Sequence, residues 1–289
     1  MSFHLTNELL LKIQKLPRKD RAAALAYVGQ KEFDKISEDP IYWLDAKQHL
    51  VSPEWPNGVP YVFTKDPHTL YKCKQCYIEL WGDKRADHLR MIHGQEGVIS
   101  FKSLLDKFEE LPPFRPFTLH EYMPPIIEAW QHNSFIAIEK SRDMMATWLI
   151  IALYTWDVLF HKGRQNIFQS QDAAKTLELV ARAKIIYDHQ PPFLKKAIGP
   201  VVFSKGTGRS GEMFIVKQEG EILGFPQGPE QIRQYHPSGI FLDEAAYQIE
   251  AGAAFAAIKP AIQAGGRFTA ISSAQKSWFE SVCRDTSDE

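Results

Sequence analysis

Apolar positions recur along this chain in two rhythms, and the change falls near residue 117. Between residues 6 and about 30, Leu9, Leu10, Ile13 and Leu16 lie at helical spacing. Pro17 interrupts them, and DRAAALAYVG predicts a second helix that ends near Gly29. Residues 50–70 are rich in proline and aromatics and predict loop with short extended pieces. SFKSLLDKFEEL (100–111) has the pattern of an amphipathic helix, and Pro112, Pro113 and Pro116 after it predict a domain boundary.

Beyond that boundary, short apolar runs alternate with helical stretches. FIAIE (135–139), QNIFQS (165–170), SGIFLDEA (238–245) and RFTAISS (267–273) predict strands, the third of them buried, and VVFS, EMFIV and EILGF add short strands between 201 and 225. Helices are predicted from the turn after Glu139 to about His161, over 172–190, and near 248–264. This alternation predicts an α/β fold, a mainly parallel sheet with helices on both faces. Ligands in such sheets bind at the carboxyl ends of the strands. The longest apolar stretch, Met144–Phe160, is interrupted by Asp157 and is short for a bilayer span, so it reads as a buried helix and no membrane partner is expected.

Composition sharpens the picture modestly. Apolar residues make up 44% of the 289, enough for a sizeable core. The 34 basic and 35 acidic side chains leave a net charge of −1, so any DNA contact is local, weak per subunit, or shared across an assembly. The N-terminus lacks the apolar run of a secretory signal, and three cysteines make a poor disulfide framework, which together imply a reducing cytoplasm.

The sharpest chemical signal is GIFLDEAA (239–246), where apolar residues run straight into Asp243 and Glu244. Desolvating two adjacent carboxylates is costly, so their place at a strand's end asks for a reason. There Asp243 would hold Mg2+ through water and Glu244 would polarise an attacking water, the pattern of a Walker B motif. The alternative is a strand that exits into a helix whose first turn favours acids. A Walker A of the usual form, G-x-x-x-x-G-K-[ST], is absent. The strand–turn–helix at 135–150 nonetheless places Lys140, Ser141, Arg142 and Thr147 in a turn before a helix whose first N–H groups can cradle phosphate. Thr147 would ligate Mg2+, and Lys140 or Arg142 would supply charge to the β- and γ-phosphates.

KSRDMMATW (140–148) resembles the deviant Walker A of the large terminase subunits of tailed phages, in which the lysine stands at the front of the loop. The match spans Lys140, Ser141, Arg142, Asp143, Met144, Met145, Ala146 and Thr147, with Met145 at the usual glycine position and Ala146 at the usual lysine position. The resemblance extends over about 117–280 and implies a P-loop ATPase. Arg233, ten residues before Asp243, is similar to the arginine that reaches a neighbouring subunit's ATP. Ser272 and Ser273 in TAISSAQ resemble the coupling motif that senses γ-phosphate. LHEYMPPIIEAW (119–130) takes the place of the adenine-binding segment, with Met123 where the family often has glutamine. The implied function is the ATP-hydrolysing motor that drives double-stranded DNA into a procapsid in the host cytoplasm. Its cofactors would be ATP and Mg2+. Its partners would be a portal, a small terminase subunit and further copies of itself in a ring.

A separate constellation lies upstream. Cys73, Cys76, His88 and His93 follow C-x2-C-x11-H-x4-H, the spacing of a tetrahedral zinc site, and four ligands without a vacancy imply a structural Zn2+. Tyr77, Leu80 and Leu89 would form its small core, and DKRADHLRMIHG would be a helix carrying both histidines on one side. Lys84, Arg85 and Arg90 are offset by Asp83 and Asp87, so protein docking competes with DNA contact. The expected organisation is a helical region and linker (1–70), a Cys2His2 zinc-finger-like module (71–97), a linker helix and proline-rich boundary (98–116), and the P-loop ATPase domain (117–289). The family's RNase H-like nuclease domain finds no room before Glu289, so no nuclease activity is expected, and a separate nuclease polypeptide or domain would supply it. Two rival readings remain, a zinc-finger adaptor with a nucleotide fold but no turnover, and a helicase-like P-loop ATPase.

Overall fold

A computed structural model describes residues 12, 15–16, 18–44, 60–62, 70–81, 84–110, 114–117, 119–141, 144–190, 192–205 and 210–284. It divides into two compact units, one of residues 60–117 and the other of residues 1–59 with 118–289. The predicted helix over 6–16 lies outside the described residues except for isolated positions.

Helix α1 (Arg18–Glu38) does not stop at the predicted Gly29 but runs through it. An interior glycine costs only about 1 kcal/mol relative to alanine. The next turns bring fully buried Ile36 and the Phe33 ring, packed edge-on to Phe160 at 5.7 Å, into the core. A short helix α2 (Pro40–Leu44) buries Tyr42, Trp43 and Leu44.

In the smaller unit, β1 (Pro60–Val62) and β5 (Phe114–Pro116) pair antiparallel. A three-stranded sheet joins β2 (Leu70–Cys73), β3 (Glu79–Trp81) and β4 (Phe108–Glu110) in the order β3-β2-β4. Helices α3 (Arg85–Met91) and α4 (Phe101–Lys107) complete the unit. The helix predicted over 100–111 therefore ends early. Phe108 turns to extended backbone, pairs with Cys73 and is buried with Tyr71 and Leu89, a packing that outweighs local helical rhythm. Pro116, expected at the boundary, lies inside β5.

The larger unit continues with α5 (Met123–His132), β6 (Phe135–Glu139), α6 (Ala146–Phe160), β7 (Gln165–Ser170), α7 (Ala173–Asp188), α8 (Pro192–Ile198), β8 (Val201–Ser204), β9 (Gly211–Ile215), β10 (Gly220–Pro226), β11 (Gly239–Asp243), α9 (Ala251–Gln263), β12 (Arg267–Ser272) and α10 (Trp278–Arg284). The sheet order is β6-β12-β11-β7-β10-β9-β8, parallel from β6 to β10, with β9 and β8 added antiparallel. This is the predicted α/β class. Strand periodicity sorts the two faces. Ile167, Ile240, Leu242, Phe268 and Ala270 point toward Ala251, Ala254 and Ile258 of α9 and Phe279 of α10. Phe168 and Phe241 point the other way, against Tyr154 of α6.

Helix α6 is apolar all round, and every residue from Leu149 to Phe160 is buried. Its outer side is covered by Trp130 of α5, by α1, whose Ile36 carbonyl accepts a bond from Trp156 Nε1 at 2.7 Å, and by Trp43 of α2, whose ring meets Phe160. A helix hydrophobic on all sides needs such a covering. No helix among the described residues is long and apolar enough to cross a membrane.

Candidate functional site

Parallel register brings three strand ends to one edge. Glu139 of β6 lies beside Ser272 of β12, and Ile271 of β12 beside Asp243 of β11. The ladder runs one residue further, with the Lys140 backbone N–H donating to the Ser272 carbonyl at 2.9 Å. The turn after Glu139 and the acidic tip at 243–244, far apart in sequence, therefore share one corner. Lys140 Nζ donates to Glu244 Oε1 at 3.2 Å, Thr147 Oγ1 to Asp243 Oδ1 at 3.0 Å, and Ser272 Oγ lies 3.4 Å from Glu244 Oε2.

Two residues that bracket this corner hold left-handed backbone. Met145 has φ 52° just before α6, and Glu244 has φ 52° just after β11. Such conformations cost non-glycine residues on the order of 1–3 kcal/mol and gather at functional sites. Glu244 is swung by it off the strand toward Lys140. Met145 thus adopts a conformation that favours glycine. Tyr122 Oη donates to the neighbouring Met144 carbonyl at 2.6 Å.

Burial, and after it the adjacent Glu244, push the Asp243 carboxyl up to about 6, although the Thr147 hydroxyl, Arg182 and Lys140 pull it down. A carboxylate so placed gains from an added cation. The corner opens into a cavity of about 510 Å3, walled by Lys140, Asp243, Glu244, Tyr247 and Ser273 on one side and by Lys175 and Arg182 of α7 on the other.

The chain is similar to the ATPase domains of phage large terminases. It shares 15% identity with the Thermus phage P74-26 large terminase ATPase domain over 56% of this chain and 68% of that one, with a TM-score of 0.44. It shares 15% with the HK97 bacteriophage large terminase over 55% of this chain and 34% of that one, with a TM-score of 0.43. No protein-family model and no curated protein matches the chain. At this level the likeness assigns no activity, and the functional reading rests on the corner itself.

The remaining residues singled out in the sequence fall at several distances from it. Ser141 is exposed, Met144 and Met145 are half-buried, and Ala146 is buried at the start of α6. Arg142 and Asp143 lie outside the described residues. Ser272 is buried, and Ser273 lines the cavity with its hydroxyl 3.1 Å from Tyr247 Oη. Arg233 is not at the cavity within this chain, but exposed and paired with Glu230 at 2.6 Å. Met123, in the segment resembling an adenine site, is fully buried.

The α7 wall was not foreseen. Lys175, Glu178, Leu179 and Arg182 recur at helical spacing and present one stripe to the cavity. Arg182 pairs with Glu178 and lies 5.3 Å from the Trp148 ring centroid. That spacing is visible in the sequence, but nothing local shows that the stripe faces the acidic pair rather than water.

In the smaller unit, Cys73, Cys76, His88 and His93 bring one ligand atom each within 4.8 Å of one another. Cys73 Sγ is 3.4 Å from His93 Nε2, and Cys76 Sγ is 3.2 Å from His88 Nε2. Zinc–sulfur and zinc–nitrogen bonds of about 2.3 and 2.0 Å separate tetrahedral ligands by roughly 3.3–3.8 Å, so the donor set fits a metal of that type. Burial raises the Cys73 thiol, but the backbone N–H groups of Cys76 and Gln75, the Cys76 side chain and Lys107 reverse this and bring it below its ordinary value. Burial and the neighbouring His93 lower His88, favouring the neutral imidazole that ligates.

Two expectations about this cluster need correcting. His88 lies on α3, but His93 follows it in the turn beyond Ile92, because the helix ends at Met91. Tyr77 is not a core residue. It is 69% exposed with φ 62°, in the tight turn that brings Cys76 back beside Cys73. The core is Tyr71, Leu89 and Phe108, with Ile99 and Leu104 against it, and the Leu80 side chain lies outside what is described. Arg90 pairs with Asp87, as the expected charge offset requires, and Arg85 is buried over the Tyr71 ring at 3.7 Å.

Proposed function

We propose that the chain is the ATP-hydrolysing motor portion of a phage DNA-packaging terminase, driving double-stranded DNA into a procapsid. One observation carries the reading: a lysine from the turn after β6 and the acidic tip of β11 meet in one partly buried corner, Lys140 Nζ 3.2 Å from Glu244, with Thr147 bonded to Asp243 beside them. A lone polar turn or a lone acidic helix start would not require that convergence.

Without nucleotide, the corner is satisfied by its own members. When a triphosphate enters, Lys140 exchanges Glu244 for phosphate oxygens, and the first-turn N–H groups of α6, free of intrahelical partners, face the phosphates. Thr147 and Asp243 are the residues that would hold Mg2+, which supplies charge neutralisation across the phosphates. Glu244, released from Lys140, orients and polarises the attacking water. Ser272, within reach of Glu244, and Ser273, on the cavity wall, would transmit the state of the γ-phosphate to β12. Arg182 and Lys175 add positive charge from α7. Arg233, exposed and away from this chain's own cavity, suits a finger acting on a neighbouring copy in a ring, so turnover by the isolated chain is expected to be slow. Electrostatic stabilisation of this kind contributes several kcal/mol in preorganised sites. DNA, a portal and a small terminase subunit are the proposed partners, and Cys73, Cys76, His88 and His93 are proposed to hold a structural Zn2+.

The decisive experiment measures ATP binding and turnover in the wild type, Lys140→Ala and Glu244→Gln, alone and with assembly partners. Glu244→Gln is expected to keep ATP bound while turnover falls by about 100-fold or more, and Lys140→Ala to weaken ATP binding. Absence of ATP binding even with partners present would instead favour the non-hydrolysing adaptor.

A further inference from the structure

The amino ends of the parallel strands, opposite the corner just described, hold a second cavity of about 430 Å3 lined by Trp130, Trp156, Asp157, His161, Arg164 and Arg267. Four elements meet there: α5 and α6 end, Arg164 immediately precedes β7, and Arg267 opens β12. The charges do not balance. Arg164 Nε donates to both oxygens of Asp157 at 3.0 Å, and Asn166 Nδ2 donates to one of them at 3.1 Å. His161 Nδ1 lies 3.7 Å from the same carboxylate and 3.1 Å from the Asp157 carbonyl. This single carboxylate is thus fully engaged.

Arg267 has no such partner. Its guanidinium sits 3.8 Å from the Trp130 ring centroid, and one terminal nitrogen donates to the Gln131 carbonyl at 3.2 Å. Its Nε is buried without a hydrogen-bond partner. Burial works most against its positive charge; Tyr154 and the Asp157 carboxylate favour that charge from a distance, and Arg164 opposes it. Capping the carboxyl end of α5 explains the bond to Gln131. It does not explain a buried donor left open beside a second arginine, which is unfavourable if nothing accepts from it. Two guanidinium forks, one of them held against an aromatic face and short of an acceptor, are built for an oxyanion.

We propose that this cavity is a binding site for a phosphate-type oxyanion, gripped by Arg267 and Arg164. Its source is either free phosphate or a phosphodiester of a DNA backbone. It stands apart from the nucleotide corner, at the other end of the same strands, and does not depend on the ATPase reading.

The test follows arginine Nε–H resonances of the full chain while inorganic phosphate replaces chloride at constant ionic strength. The Arg267 and Arg164 signals, assigned by their loss in Arg267→Lys and Arg164→Lys, are expected to shift saturably, with affinity about tenfold lower in Arg267→Gln. A short DNA duplex forms the second arm. The same shifts with duplex identify the phosphodiester as a ligand, and shifts with phosphate alone identify the free anion. Lys140→Ala is expected to leave the shifts intact, so failure of the ATPase reading would not produce a false negative here. If neither ligand moves these two signals in the folded wild type, the site does not exist. Because Arg267→Gln also removes the contact to Gln131, the wild-type titration and Arg164→Gln decide the matter should that variant fail to fold.

Discussion

Asp243 carries the strongest pH dependence of the site. Its carboxyl is raised from the ordinary carboxylate value to about 6 by burial and by Glu244. A raised acid binds its proton more tightly in the folded than in the unfolded chain, so its contribution favours folding at low pH. That contribution is lost as pH climbs from about 4 through about 6. Asp243→Asn, which keeps an acceptor for Thr147, is therefore expected to stabilise the nucleotide-free protein at pH 8. The gain is on the order of 3 kcal/mol and shrinks toward zero near pH 4. Denaturant titrations at the two pH values measure it, and an equal effect at both would show that Asp243 is not held under strain. Nucleotide binding has the opposite slope, since a cation needs the ionised carboxylate. Mg2+-dependent ATP affinity is expected to fall as pH drops through about 6, while Mg2+-free affinity changes far less.

At the scale of elements, the site depends on how closely β11 seats against α6. A Cβ on Gly239, at the start of β11, would lie 2.4 Å from Tyr154 Cε1 and 2.7 Å from Asn166 Oδ1, both on side chains fixed by packing. Tyr154 cannot retreat easily, because its hydroxyl donates to the Ile240 carbonyl at 2.9 Å and lies 3.0 Å from Thr269 Oγ1. Gly239→Ala is expected to cost about 1–3 kcal/mol in thermal or chemical denaturation and to lower turnover by displacing Asp243, while Gly265→Ala, in open space, loses only what its positive φ demands. Such close approaches mark the limit of what the chain shows locally. GIFLD was legible because a strand buried on both faces reads as an uninterrupted apolar run, and FIAIE, a half-buried edge strand, was legible from its short apolar run before a polar turn. Phe108 was misread because its strand exists only through pairing with Cys73. The α7 stripe at Lys175 and Arg182 was missed for the same reason, since its spacing is local and its facing is tertiary. Met145 is the converse case. The sequence shows a bulky side chain there, yet the backbone takes the left-handed turn directly before the buried helix.

At the scale of the whole molecule, the two units are stabilised differently, and a metal should separate them. The larger unit has a seven-stranded sheet with a continuous core on both faces. The smaller has a core of Tyr71, Cys73, Leu89 and Phe108 with a few partly buried neighbours, and two of the four proposed ligands, Cys73 and Cys76, belong to that cluster. A core so small rarely supplies more than about 3–5 kcal/mol, whereas structural zinc sites of this donor type contribute on the order of 10 kcal/mol or more at neutral pH. Chelation is therefore expected to unfold residues 60–117 while leaving the sheet intact. Hydrogen exchange should then show full exposure of Leu70–Cys73 and Phe108–Glu110 with continued protection of Phe241 and Ala270. One equivalent of zinc in the native protein, lost on Cys76→Ser or His88→Ala, completes the expectation. If the smaller unit keeps its protection under strong chelator, the four side chains are packed neighbours and not ligands. ATP binding measured on the same chelated sample then shows whether the sheet's site works without that unit. Its corner is built wholly from residues of β6, α6, β11 and β12 and the turns next to them, so binding is expected to persist.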